Sequence, residues 1–284
     1  MILLAGASGM LGGAIARELQ SGNGTLRALV RSHEAAKRLQ GLEVTAVFGD
    51  LKDPASLAQA CGGVDIVITT ASAMRRSGAD TIESVDVQGS CDLIDAAIES
   101  GVKRFVYVSA YGASMHHAAS ILAAKAYVEA YLRSSSLTWT ILAPNLFMDI
   151  WVERVVGEPV RTGKAVTLVG DGLRRHSMVA VEDVARIAVC AINDAAADEE
   201  RISIGGPAAI SWRDVVAAYE RAYATQVRVV RSDSIPGMPA STAGLLHGLE
   251  AFDSPIDMAP LAKRYDLELT SIDAYAARSA SAGR

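Results

Sequence analysis

The first twenty residues constrain this chain more than any other segment. Met1-Ile2-Leu3-Leu4-Ala5 reads as a short buried strand, Gly6-Ala7-Ser8-Gly9-Met10-Leu11-Gly12 follows at once, and Ala14-Ile15-Ala16-Arg17-Glu18-Leu19 has the pattern of a helix. Glycines at the point where a strand hands over to a helix have separate uses. Gly6 allows a tight turn, Gly9 lets backbone approach a pyrophosphate with no Cβ in the way, and Gly12 lets helix and strand pack closely. Free amides and the positive end of the helix then favour the anion. Such turns also serve structure alone, and the spacing Gly-x-x-Gly-x-x-Gly departs from the commoner Gly-x-Gly-x-x-Gly. A strand before and a helix after, within a βαβ unit, is nevertheless the context a dinucleotide site requires.

Strand and helix signals go on alternating. Apolar, β-branched runs predict strands at 25–30, 44–48, 64–69, 105–109 and 138–142, and apolar residues at three- and four-residue spacing predict helices at 34–40, 54–60, 83–100 and 119–134. Continuously apolar strands imply burial on both faces, hence a parallel sheet covered by helices. The expected class is α/β: a Rossmann-type doubly wound parallel sheet over residues 1–150, with a small C-terminal α/β lobe over 151–284 that interleaves with it. Asp53 before Pro54 predicts an N-cap, and Gly101 a left-handed helix stop. Beyond Pro144 the spacing predicts a helix at 183–193, a strand at 201–204, a helix at 211–223 and a strand at 227–230. The stretch 231–260, with Pro236, Gly237, Pro239, Pro255 and Pro260 around a short apolar helix, reads equally as a flap over the ligand site and as a surface excursion.

Composition removes several function classes. Of 284 residues, 27 are Lys or Arg and 32 Asp or Glu, a net charge of −5, and the basic residues form no stripe, which argues against direct nucleic-acid binding. Cys61, Cys91 and Cys190 lie far apart without Cys-x-x-Cys spacing and read as buried thiols of a reducing cytoplasm. No apolar run approaches the roughly 20 residues of a membrane helix; residues 179–192, for example, contain Glu182, Asp183 and Arg186. The apolar start has no basic n-region and holds the turn glycines, unlike a signal peptide. His116-His117 has no nearby Cys or carboxylate to complete a metal set, so no metal is expected and both read as loop residues. The expectation is a cytoplasmic monomer or homodimer acting on a small molecule, with no membrane partner.

At the end of the second predicted strand, where an NAD site presents Asp or Glu to the ribose 2′-hydroxyl, the chain has Val30-Arg31-Ser32. Arg31 can pair bidentately with a 2′-phosphate that a carboxylate would repel, and Ser32 or Lys37 can add a hydrogen bond. NADP(H) is therefore expected over NAD(H), against the alternative of a plain surface arginine.

The chain resembles the NmrA-like group of atypical short-chain dehydrogenases/reductases over about its first 230 residues. The carriers are Gly6 to Gly12, Val30-Arg31, Gly49-Asp50-Leu51, Gly101-Val102-Lys103-Arg104-Phe105-Val106-Tyr107-Val108-Ser109, Lys125 with Glu129, and Ala143-Pro144-Asn145-Leu146-Phe147-Met148. The resemblance implies that Asp50 and Leu51 flank the adenine, that Thr70, Ala71 and Ser72 line the cofactor cleft, and that Pro144 and Asn145 border it. Asp50 is alternatively a simple loop cap.

Catalytic members of that superfamily carry Tyr-x-x-x-Lys on the helix after the fifth strand, with an upstream serine. Ser109 and Lys125 match, but the residue four before Lys125 is Ile121. Isoleucine has no proton to give, so alcohol/ketone chemistry through that tyrosine is excluded. Two main readings remain. In one, hydride passes from NADPH to a quinone, enone or conjugated dye-like acceptor, Lys125 binds the ribose and polarises the site, and Tyr111 substitutes as proton donor or is merely a partly buried aromatic. In the other, NADP(H) is bound without turnover and reports redox state to a partner. An epimerase or dehydratase is the third possibility. Phe147, Met148 and Trp151, after the sixth strand, either suit a flat apolar substrate or fill the junction with the C-terminal lobe. Lys125 and Glu129, one helical turn apart, would otherwise be a surface ion pair.

Overall fold

In the computed structural model, which describes residues 1–20, 25–74, 78–237 and 240–282, the chain runs β1 (Ile2–Ala5), α1 (Met10–Leu19), β2 (Leu26–Val30), α2 (His33–Lys37), β3 (Val44–Phe48), α3 (Pro54–Cys61) and β4 (Ile66–Thr69). A π-helical stretch, Ile82–Gln88, then continues into α4 (Gly89–Glu99), followed by β5 (Arg104–Val108), α5 (Ser120–Arg133) and β6 (Thr138–Pro144). Every residue of β1 is buried, because β1 lies between two parallel neighbours, Ile2 opposite Leu26 of β2 on one side and Ile66 of β4 on the other. From β1 the sheet grows outward in both directions, in the order β3-β2-β1-β4-β5-β6. The order reverses between β1 and β4, and the carboxyl ends of these two strands open the crevice in which doubly wound sheets bind ligands.

The remaining elements are a second π-helical stretch, Met148–Gly157, leading into α6 (Glu158–Arg161), then β7 (Val166–Leu168), α7 (Val181–Ile192), β8 (Glu200–Ile204), α8 (Trp212–Tyr223), β9 (Val229–Arg231), α9 (Ala240–Leu249), α10 (Ala259–Tyr265) and α11 (Ile272–Ala282). β8 becomes the seventh strand of the large sheet, beside β6, while β7 and β9 form a separate two-stranded parallel pair. The chain divides into one unit of Met1–Pro144 with Val184–Ser203 and a second of Asn145–Asp183 with Ile204–Arg284. It therefore leaves the first unit at Pro144, before residue 150, and comes back to it. Arg104 fastens that return: its guanidinium donates to the Ala191 carbonyl at 2.8 Å and pairs with Asp198.

The first unit is the Rossmann-type α/β sheet that the alternation predicts, with a core of Leu3, Leu57, Ile94, Phe105, Tyr107 and Leu132 among others. Three local expectations need correction. β3 is not buried on both faces: it is the sheet edge, and Phe48 is 48% exposed with its ring against His33. Asp53 precedes α3, but its side chain makes no capping bond, and the Ser56 hydroxyl donates to the Asp53 carbonyl instead. The single helix expected at 83–100 changes winding at Gly89, where a Cβ would come within 2.7 Å of the Leu51 Cβ. Gly101 does hold the left-handed conformation, φ +73°. Cys61 and Cys91 are buried, and burial pushes both thiols up to about 11, whereas Cys190 is half-buried.

The second unit has its own core of Met148, Trp151, Val152, Trp212 and Tyr219. Ile235 and Leu246 are buried in that core, so the 231–260 stretch is packed at these residues rather than free-standing as a flap. Pro239 of that stretch and the terminal Arg284 lie outside the described residues. Among the described residues no helix is long and apolar enough to cross a membrane.

Candidate active site

At the carboxyl end of β1 the three glycines separate by what surrounds them. Gly6 sits at φ +85°, and a Cβ there would lie 2.5 Å from Thr70 Oγ1 and 2.9 Å from the Ala71 nitrogen. At Gly12 a Cβ would fall 2.2 Å from the Gly6 carbonyl oxygen. Both are therefore demanded by the packing of β1, α1 and the end of β4. Gly9 is exposed, and a Cβ there meets only the Gly6 oxygen, at 3.1 Å. Its exposed backbone can be approached by a ligand. Gly9 is also the N-cap of α1, with no side-chain capping bond and no acid in the first turn, so amides and helix dipole are left for an anion. Ala7 and Leu11 are buried, Ser8 is half-buried and Met10 exposed.

The wall contributed by β4 is tied to the same turn. The Thr70 N–H donates to the Ala5 carbonyl at 3.0 Å, and the Thr70 hydroxyl reaches the Ala5 and Gly6 carbonyls at 3.3 and 3.4 Å. Ser72 Oγ accepts the Met74 N–H at 3.3 Å, and Ala71 is buried. Leu51 is buried against Gly89.

Arg31, at the end of β2, is 42% exposed and borders a cavity of about 430 Å³ lined also by Phe48, Gly49, Asp50, Asp53 and Ser56. Its guanidinium donates to Asp80 at 2.5 Å and lies 3.9 Å from Asp50. Asp50 does act as a loop cap, accepting the Lys52 N–H at 3.0 Å. Ser32 is occupied as the N-cap of α2, accepting the Ala35 N–H at 3.2 Å.

Beside β5 lies a buried polar cluster. Lys125 of α5 is 7% exposed, its ammonium donates to the Val108 carbonyl at 3.1 Å, and it lies 3.8 Å from the Asp86 carboxylate and 4.9 Å from the centre of the Tyr107 ring. Burial lowers the Lys125 pKa, and the charges of Asp86 and Glu129 oppose that shift. Asp86 is fully buried; Oδ2 accepts the Ala73 N–H at 2.9 Å, and Oδ1 has no hydrogen-bond partner among the described residues. The buried Tyr107 phenol is pushed well up by desolvation and stays protonated. Ile121, one turn before Lys125, is a buried apolar side chain.

Ser109 donates its hydroxyl to the buried Glu129 carboxylate, which also takes Arg201 Nε at 2.8 Å and Arg133 at 3.3 Å. Lys125 and Glu129 thus turn to different partners and are not a surface pair. Arg201 adds a bond to the Ala110 carbonyl at 3.1 Å. Tyr111 is half-buried, with its N–H donating to the Pro144 carbonyl at 2.9 Å. His116 and His117 are exposed loop residues.

The other sequence candidates belong to the second unit. Asn145 donates to the Ser254 carbonyl and hydroxyl at 3.1 and 3.0 Å and accepts the Leu146 N–H, so its amide is committed to that unit. Met148 and Trp151 are in its core, and Phe147 is half-buried. Spacing sets Glu129 one turn from Lys125, whereas Asp86 and Arg201 are the members of this cluster that spacing alone does not bring to it. A carboxylate inside the apolar run Val85-Asp86-Val87 is the signal that points to Asp86.

Residues 6–195 match a protein family described as NAD(P)H-binding. An NAD(P)H azoreductase of Xenophilus azovorans is 29% identical over 264 residues, spanning 90% of this chain and 88% of the relative. The NADPH complex of an Escherichia coli NADPH-dependent quinone oxidoreductase superposes with a TM-score of 0.83 at 20% identity, over 98% of this chain and 99% of the other. The NADP(H) complex of a Citrobacter sp. triphenylmethane reductase gives 0.82 at 19% identity, over 98% and 99%. The Rossmann-type fold and the resemblance stated for the sequence agree with these matches. The residues at the β1 turn fit a dinucleotide: a glycine cradle exposed at Gly9 and an uncapped helix start.

Proposed function

The chain belongs to the NAD(P)H-binding family, and on that premise we propose that it is an NADPH-dependent oxidoreductase reducing small, apolar, conjugated acceptors of quinone, enone or aromatic dye type. The observation that carries the reading is the combination of a complete nucleotide cradle with a buried Lys125 whose preceding turn holds Ile121. When bound, the nicotinamide supplies a hydride. Lys125, fixed between the Val108 carbonyl and Asp86, holds positive charge at the carboxyl end of β5 and stabilises negative charge developing nearby. Ile121 donates no proton, so the acceptor has to be one that delocalises the charge it gains. Azo, quinone and triphenylmethane compounds, named for three of the similar proteins, share that property.

Tyr111 is the group we assign to late proton delivery, with Ser109 oriented by Glu129. Phe147 is the substrate contact to favour over Met148 and Trp151, since it alone of the three retains exposure. NADPH preference rests on Arg31. Arg31→Ala is expected to weaken NADPH binding tenfold or more, in the range of a lost bidentate phosphate contact, with NADH little changed; equal losses for both would remove the assignment. A redox-sensing role without turnover is the second reading. It is favoured by one observation, the commitment of the Ser109 hydroxyl to the Glu129 carboxylate that Arg201 and Arg133 already neutralise.

A further inference from the structure

Two cations from different loops converge on one carboxylate near the Arg31 cavity. Asp80 accepts Arg31 Nη1 on Oδ2 at 2.5 Å and Lys52 Nζ on Oδ1 at 2.7 Å. Arg31 follows β2 and Lys52 follows β3, adjacent strands, whereas Asp80 follows β4, on the far side of β1 in the sheet order. The Asp80 side chain is 7% exposed, while Arg31 and Lys52 keep 42% and 31%. The cations thus retain surface that a ligand can reach, with the carboxylate beneath. Together they hold the Asp80 carboxyl down at about 2, with the Lys52 hydrogen bond the largest cause. Asp50, 3.9 Å from Arg31, is the second anion at this corner. A guanidinium and an ammonium that share one oxyanion are equally suited to a tetrahedral phosphate, which offers more charge and more acceptor oxygens than a carboxylate.

We propose that Lys52 joins Arg31 in receiving the 2′-phosphate of NADPH, and that Asp80 is the internal anion the phosphate displaces from both cations, so that Asp80 limits the preference for NADPH over NADH. This rests on the NADPH reading above. NADH, which presents a neutral 2′-hydroxyl, leaves the Arg31–Asp80–Lys52 clasp closed. Asp80 then acts on one cofactor and not the other.

The test is equilibrium binding of NADPH, NADH, 2′,5′-ADP and ADP to the full chain and to its Arg31→Ala, Lys52→Met and Asp80→Asn variants at one ionic strength. The ADP pair isolates recognition of the 2′-phosphate from everything at the nicotinamide end, and it needs no turnover. Asp80→Asn is expected to tighten NADPH and 2′,5′-ADP by about threefold to tenfold, with NADH and ADP within about twofold. Lys52→Met is expected to weaken the two phosphorylated ligands by about tenfold, again with little change in the other two. Because Lys52 is partly exposed, that variant carries the test should Asp80→Asn fail to fold. The proposal is overturned if Asp80→Asn leaves the ratio unchanged or weakens all four ligands, the behaviour of a purely structural clasp, or if Lys52→Met weakens both pairs equally. If Arg31→Ala is selective for phosphate and the other two variants are not, only this inference falls. If the unaltered protein does not distinguish 2′,5′-ADP from ADP, the NADPH reading falls with it.

Discussion

Lys125→Met is expected to remove most turnover and to destabilise the protein by about 3–5 kcal/mol, the range for breaking a buried pair from one side. The loss comes from what stays behind. Asp86 is fully buried, and its Oδ1 faces the Lys125 ammonium at 3.8 Å with no hydrogen-bond partner among the described residues. Without the ammonium a carboxylate is left uncompensated in the core. Adding Asp86→Asn in that background removes the charge while the amide oxygen still accepts the Ala73 N–H. The double variant should therefore be more stable than the sum of the single losses by at least about 1 kcal/mol, as for other contacting pairs. Denaturant unfolding of the four proteins measures it, and strict additivity would contradict the coupling.

The same pair sets a pH dependence whose sign follows from burial. Desolvation lowers the Lys125 pKa in the folded protein, so the unfolded chain takes up this proton at a higher pH than the folded chain does. Lys125 therefore costs stability once pH falls below the unfolded lysine value of about 10.4, and the cost grows until the folded group also protonates. Asp86 opposes that shift. In Asp86→Asn the lysine loses its proton at lower pH, and the alkaline limb of the activity profile moves down with it. A limb that stays in place would show that Lys125 is not the titrating group.

The second large effect is a contrast between two glycines. Gly12→Ala puts a Cβ within 2.2 Å of the Gly6 oxygen, a backbone clash that no side-chain rotation relieves, and a loss of at least about 3 kcal/mol is expected. Gly9→Ala brings a Cβ only to 3.1 Å of the same oxygen, at an exposed position whose φ of −83° suits any residue. Its cost in stability should stay under about 1 kcal/mol. Its cost in NADPH and NADH affinity should reach about tenfold, because on the proposed nucleotide-binding reading the methyl would stand where the pyrophosphate approaches. Equal destabilisation by the two substitutions would make the turn structural throughout.

What could be read from the chain follows the range of the interactions. The strand-turn-helix start, the alternation behind the large sheet and the missing tyrosine at Ile121 are local patterns, and each was legible. β3 lost its second neighbour because sheet order is not written in spacing, and so Phe48 came out exposed. Glu129 was visible one turn from Lys125, yet its actual partners Ser109 and Arg201 lie 20 and 72 positions away. The clasp on Asp80 joins residues 28 and 49 positions apart. Winding changes at Ile82–Gln88 and Met148–Gly157 leave no periodic signature that separates them from ordinary helix, and the three-residue strand β7 is too short to show one.

The most direct measurement is NADPH oxidation by the purified protein, followed at the nicotinamide absorbance against quinones, enones, azo dyes and triphenylmethane dyes, with NADH in parallel. Catalytic turnover of at least one of these conjugated acceptors, with NADPH preferred over NADH, is the predicted result. Saturable NADPH binding without oxidation by any acceptor would contradict the reductase assignment and leave the redox-sensing role in its place.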